Sequence, residues 1–152
     1  MTRPQLPKGY GAVLRVPTLA EYMRLRAVSG LSAHEEAAAR QGLEGTIFAV
    51  VIESEGRAIG MGRITGDGGC FFQLNDIAVD PAHQGKGLGK VIMAALMDHV
   101  NTALPPTAFV SLLADVPADV LYAQFGFRHT APASVGMSYR PMDRVSRGGD
   151  QS

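Results

Sequence analysis

Residues 83–90 read HQGKGLGK, with glycine at 85, 87 and 89 and lysine at 86 and 90. An apolar run precedes the stretch (Ile77, Ala78, Val79) and another follows it (Val91, Ile92, Met93, Ala94, Ala95, Leu96). Three side chains are given up at alternate positions of one turn between two apolar segments. Glycine permits positive φ and lets a backbone approach a ligand closely. The helix expected after the turn opens with free N–H groups and the positive end of its dipole, which both favour an anion. A phosphate or pyrophosphate is the natural guest, with Gln84, Lys86 and Lys90 able to add hydrogen bonds or charge.

Two common phosphate loops do not fit. A Walker A loop needs glycine where Gln84 stands and a hydroxyl where Val91 stands. A dinucleotide loop needs glycine where Lys90 stands, and an acidic residue about 20 positions on that is missing here.

Outward from the turn, the apolar periodicity predicts a helix of about 15 residues, through His99 or Val100, ended by Pro105-Pro106. A strand at 107–113 follows, and a crossover of this kind makes it parallel to the strand at 70–79. A short helix at 118–124 and two last strands at 127–130 and 135–139 complete the C-terminal half. Before the turn, the segments 47–52, 58–64 and 70–79 are joined by the tight turns Glu55-Gly56 and Gly66 to Gly69, and Asp80-Pro81 breaks the third. They read as an antiparallel meander. A first strand at 12–16 and two helices lead into it. Thr18 is the expected N-cap of the first helix, and Ser32 with Glu35 forms a capping-box pattern for the second. The fold class is α/β, or α+β: a mixed, mostly antiparallel twisted sheet of about six to seven strands with about four helices.

The chain of 152 residues suits one domain, here with a core of about 12–140. The first eight residues and the tail RVSRGGDQS (144–152) are expected to fray. Fourteen basic and fourteen acidic residues cancel, which disfavours a general polyanion binder such as a nucleic-acid protein. The apolar stretches are too short to span a bilayer, and the N-terminus shows no signal-peptide core. With Cys70 the lone cysteine, read as a buried small hydrophobe, a cytoplasmic protein is the simple expectation. His34, His83, His99 and His129 show no metal-ligand spacing, so no metal is expected.

The pattern that fits the turn is Gln84-x-x-Gly87-x-Gly89. It resembles the Q/R-x-x-G-x-G/A motif of the GCN5-related N-acetyltransferase (GNAT) superfamily. DIAVDP (76–81) resembles that family's fourth strand, and LYAQFGF (121–127) its late L-Y-x-x-x-G-F signature. The order of elements agrees from about Ala12 to Arg140. The resemblance implies acetyl-coenzyme A as cofactor, bound where the strands 70–79 and 107–113 splay apart. Gln84, Gly85, Lys86, Gly87, Leu88, Gly89 and Lys90 would surround the pyrophosphate. The main chain of Ile77, Ala78 and Val79 would pair with the pantetheine arm. Tyr122 falls on the family's general acid, and a phenol of pKa near 10 suits a thiolate of about 8.5 or above.

The base is less plain. Many members carry Glu or His nine or eleven residues before the motif, where this chain has Asn75 and Gln73. Neither is a base, but both could order a water. Asp76, by strict alternation, points to the opposite face from 73 and 75. Asp115 replaces a common Asn and could bind pantetheine, act through water, or cap the helix. The acceptor site implied by the resemblance draws on Ser29, Phe72, Gln73, Asn75 and Met137. The expected function is transfer of an acetyl group to the primary amine of a small molecule by direct attack. The alternatives are an acyl-coenzyme A binding module with weak or no catalysis, and a peptide or protein N-acetyltransferase. Superfamily members often pair as homodimers.

Overall fold

The computed structural model describes residues 3–143. The terminal residues 1–2 and 144–152, expected above to fray, lie outside that range. The elements run β1 (Tyr10–Val13), α1 (Leu19–Val28), α2 (Glu36–Glu44), β2 (Phe48–Ser54), β3 (Arg57–Gly66), β4 (Phe71–Val79), α3 (Leu88–Ala103), β5 (Phe109–Ser111) and α4 (Asp119–Ala123). One five-stranded sheet has the order β1-β2-β3-β4-β5. Its first three pairings are antiparallel and β4–β5 is parallel.

Two layers of helix cover the sheet. Val91, Ile92, Met93 and Leu96 of α3 pack on one face with Val50, Ile52, Ile59, Ile64, Phe72 and Leu74. Tyr22 and Leu25 of α1 and Ala39 and Leu43 of α2 pack on the other with Val51, Met61 and Ala78. Gly62 lets α3 come close: a Cβ there would stand 2.5 Å from Ile92 Cγ2 and 3.0 Å from Leu96 Cδ1. Gly62→Val is therefore expected to overpack the core and cost about 1–3 kcal/mol, read as a lower urea midpoint with an unchanged slope.

Local chemistry explains most element ends. Thr18 Oγ1 accepts from Glu21 N (3.2 Å) and Glu21 Oε1 accepts from Thr18 N (2.8 Å), a complete capping box. The Asp67 carboxylate accepts from the N–H groups of Gly69, Cys70 and Phe71 and so closes the β3–β4 turn. Gly126, at φ +92°, ends α4: its N–H reaches Ala123 O and that of Phe127 reaches Tyr122 O, a Schellman closure.

Several expectations need correction. The second helix starts at Glu36 without a side-chain cap, because the Ser32 carbonyl and hydroxyl are taken by Arg26. The last two strands do not form. The free edge of β5 is only three residues long, and the chain at 130–134 closes on itself through Ser134 N to Thr130 O (3.0 Å) and Thr130 Oγ1 to Ser134 O (3.1 Å). Cys70 is exposed, since it belongs to the Asp67 turn rather than to the strand core. Leu6, within the stretch expected to fray, packs against the α3-side core.

The correction with most consequence lies in β4. Met61 pairs with Ala78 and Arg63 with Asn75, so Asp76 and Ile77 together oppose Gly62. This is a β-bulge, with Asp76 at φ +57°. The extra residue shifts the alternation by one. Asp76 therefore lies on the same face as Gln73 and Asn75, not the opposite one, and meets Arg26, Arg63 and Tyr22 there.

Candidate active site

Pairing between β4 and β5 is confined to Phe71 with Phe109, Phe72 with Val110, and Gln73 with Ser111. Beyond Gln73 the two parallel strands have no further partners on each other, and β4 presents an open edge through Val79. A cavity of about 280 Å³ lies beside this edge. Its walls are Ile77, Ala78 and Val79 from β4, His83 to Gly85 and Gly87 to Gly89 from the turn, and Ala118, Leu121 and Tyr122 from the α4 segment.

The turn is shaped for an approaching anion. Gly85 (φ +80°) and Gly87 (φ +78°) take the left-handed conformation. Gly87 is the N-cap of α3, and no side chain caps that helix. The first N–H groups of α3 are thus left for an external acceptor. Gly89 holds a different place, facing α4: a Cβ there would make an ordinary van der Waals contact with Leu121 Cδ2 at 3.4 Å. Apolar walls, an open strand edge and a ring of backbone donors fit the two halves of a coenzyme A molecule, an amide-bearing arm and a pyrophosphate.

Gln84 donates through Nε2 to Val79 O (3.1 Å), tying the turn to the end of β4. Lys86 and Lys90 are exposed and stand outside the cavity lining. Tyr122 is half-buried against the cavity. Burial raises its pKa above 10, and the nearby charge of Asp115 adds to the rise, so the phenol keeps its proton at neutral pH. Asp115 is exposed, and its carbonyl accepts from Ala118 N (2.7 Å) at the start of the α4 turn.

On the α1/α2 face of β4, Asn75 Nδ2 donates to Thr65 Oγ1 (2.7 Å) and lies 3.4 Å from Gln73 Oε1. The three side chains form a polar row across β3 and β4. Beside it, the buried Arg26 and Arg63 share the two carboxylate oxygens of Asp76, and Tyr22 donates to Asp76 Oδ2 (3.1 Å). Arg26 also holds Ser32 of the α1–α2 loop, and Arg63 holds Gly42 O of α2 (2.8 Å). His34 of the same loop has its pKa lowered, chiefly by partial desolvation and then by the Arg26 charge.

Three of the expected acceptor residues have the following surroundings. Phe72 is 2% exposed and belongs to the core under α3, so it cannot meet an acceptor. Its neighbour Phe71 is the exposed one, edge-on to Phe109. The Ser29 hydroxyl is spent on Leu25 O at the end of α1. Met137 is 89% exposed and lines no cavity described here. Sequence reasoning missed Arg26, Arg63 and Thr65. The signal for Arg63 was present, since an arginine inside the apolar run of β3 must find a partner.

Comparisons with known proteins identify the family and the fold. The acetyltransferase (GNAT) domain profile matches residues 20–144. The chain belongs to the GNAT acetyltransferase family. A solved structure of a probable acetyltransferase of unknown function from methicillin-resistant Staphylococcus aureus is 40% identical, with a TM-score of 0.81 over 86% of this chain and 98% of that one. An uncharacterized N-acetyltransferase of Porphyra purpurea is 32% identical over 59% of this chain and 50% of its own length. A histone acetyltransferase of Glycine max is 34% identical over 56% of this chain and 36% of its own. This chain thus spans half or less of the length of those curated relatives. Glucosamine-6-phosphate N-acetyltransferase of Arabidopsis thaliana shares the fold at 20% identity, with a TM-score of 0.63 over 86% of this chain and 99% of its own. Among the described residues no helix is long and apolar enough to cross a membrane.

Proposed function

We propose that this protein is an acetyl-coenzyme A-dependent N-acetyltransferase acting on the primary amine of a small molecule. The observation that carries the reading is the cavity at the β4–β5 divergence, floored by an uncapped helix start and walled by an open strand edge. Acetyl-coenzyme A supplies the acetyl group as a reactive thioester. The N–H groups of the turn, from about Gln84 to Gly89, hold the pyrophosphate. The main chain of Ile77 to Val79 pairs with the pantetheine amides as an added strand would. An N–H near the β4 bulge polarises the acetyl carbonyl.

The acceptor nitrogen attacks the carbonyl carbon, the C–S bond breaks, and Tyr122 gives its proton to the departing sulfur. The proton lost by the amine leaves through water ordered by the Thr65–Asn75–Gln73 row. The lone cysteine has no part in this sequence.

A small acceptor is supported by the C-terminal segment. Gly136 lies against Leu113 just past β5, and a Cβ on it would stand 2.9 Å from Leu113 Cδ2. Arg140 then reaches Ser32 Oγ (3.3 Å) on the α1–α2 loop. The segment therefore bridges the two flanks of the acceptor face, which favours a bounded site over an open groove. The test is thiol release from acetyl-coenzyme A in the presence of a panel of primary amines and short peptides. Amine-dependent release with small amines supports the reading. Release with peptides alone would overturn the substrate class, and release with none would leave a binding module.

A further inference from the structure

His83 lines the cavity, one residue ahead of the Gln84–Gly89 turn. Its backbone sits in a short 3-10 turn, Pro81–His83, whose N-cap Asp80 accepts from Ala82 N (3.0 Å) while His83 N donates to Asp80 O (2.8 Å). Asp80 is held in turn by Arg24 at 2.5 Å. The ring is held by a residue of β1, the strand at the far edge of the sheet order from β5. Tyr10 of β1, 73 residues away in sequence, has its hydroxyl 2.7 Å from His83 Nδ1, with the two rings edge-on at 5.6 Å. A surface histidine needs neither constraint. One held at both backbone and ring has a defined direction to point its remaining nitrogen.

The direction of the Tyr10 hydrogen bond decides what that nitrogen offers. When the hydroxyl donates to Nδ1, the neutral ring must carry its proton on Nε2. When the ring is protonated, both nitrogens carry protons and Nδ1 donates to the Tyr10 oxygen. In these two states Nε2–H is a donor, whereas in the other neutral tautomer Nδ1–H donates to the Tyr10 oxygen and Nε2 is a bare acceptor. A donor beside a turn of free backbone N–H groups calls for an acceptor of negative charge.

We propose that His83 is a ligand of the cofactor pyrophosphate, and that Tyr10 is the positioning residue that holds its ring and keeps Nε2 protonated. This rests on the cavity being the coenzyme A site. It makes β1 part of cofactor binding, although β1 lies at the far edge of the sheet order from β5.

The test is calorimetric binding of coenzyme A, dephospho-coenzyme A and pantetheine to the wild type and to His83→Ala, His83→Gln and Tyr10→Phe. Loss of a hydrogen bond to a charged group should weaken coenzyme A about tenfold in His83→Ala. Dephospho-coenzyme A, which keeps the pyrophosphate, should weaken equally, and pantetheine, which lacks it, should not change. His83→Gln, with an amide nitrogen near the Nε2 position, should restore most of the affinity. Tyr10→Phe should lose about threefold on the pyrophosphate ligands alone.

Equal losses for pantetheine would mean a structural role and overturn the proposal. So would a loss confined to coenzyme A, since that places the contact at the 3′-phosphate. Unchanged affinities in folded variants would overturn it too, with the cofactor reading intact. A wild type that binds none of the three probes overturns the cofactor reading itself, and this assignment with it.

Discussion

Tyr122→Phe is expected to lower kcat by about 10²–10⁴-fold while leaving the affinity for acetyl-coenzyme A close to wild type. The substitution removes one oxygen and keeps the ring that lines the cavity and packs under α3. In the proposed reaction the lost oxygen carries the proton given to the departing sulfur. Burial and the Asp115 charge hold the phenol pKa above its ordinary 10. The acid form therefore persists across the neutral range, and its loss should appear in a pH–rate profile only on the alkaline side, above pH 10. Steady-state kinetics with calorimetric binding on the same preparation separates the two effects. An unchanged kcat would make Tyr122 a packing residue and return the proton donor to water.

Asp76→Ala should destabilise the fold by about 3–5 kcal/mol, because it strands two buried guanidinium groups. Arg26 and Arg63 are 8% and 5% exposed, and each gives one N–H to the Asp76 carboxylate. Their remaining bonds run to Ser32, Thr46 and Gly42. One carboxylate thus ties β3, β4, α1, the α1–α2 loop and the end of α2 into a single unit. Removing it should lower the urea midpoint and release the loop beside the acceptor face, seen as faster amide exchange around Ser32. Arg26→Met combined with Arg63→Met and Asp76→Leu would remove all three charges together, and should recover much of the loss. A single Asp76→Ala cost below about 1 kcal/mol would show that packing, not this network, holds the loop.

Much of the scaffold was legible because local rules and tertiary structure agree there. Thr18 and Glu21 announce a helix start and make one. Glu55-Gly56 and the Asp67 turn announce hairpins and make them. The Gly85, Gly87 and Gly89 pattern announces a helix start exposed to a ligand, and Gly87 takes the left-handed N-cap position.

The acceptor face was less legible, for reasons that lie in the chain. Strict alternation by twos has no place for a bulge, and the bulge at Asp76 moves its side chain to the face of Gln73 and Asn75. Two adjacent phenylalanines give no sign in sequence of which one faces out, and it is Phe71, not Phe72. The residues 135–139 have strand-like composition, but strand propensity needs a partner edge, and the chain there turns toward Ser32 instead. Ser32 matched a capping pattern, yet Arg26, six residues earlier, claimed it first. The Tyr10–His83 contact joins residues too far apart for any local pattern to suggest.

The central claim is that the cavity beside the β4 edge takes coenzyme A. The most direct measurement is the melting temperature with acetyl-coenzyme A, coenzyme A and ATP, each at about 100 times an expected dissociation constant. Bound ligand at that ratio stabilises a fold by about 2.7 kcal/mol. Upward shifts with both coenzyme A forms and none with ATP are the predicted result. No shift with either coenzyme A form, or an equal shift with ATP, would contradict the account.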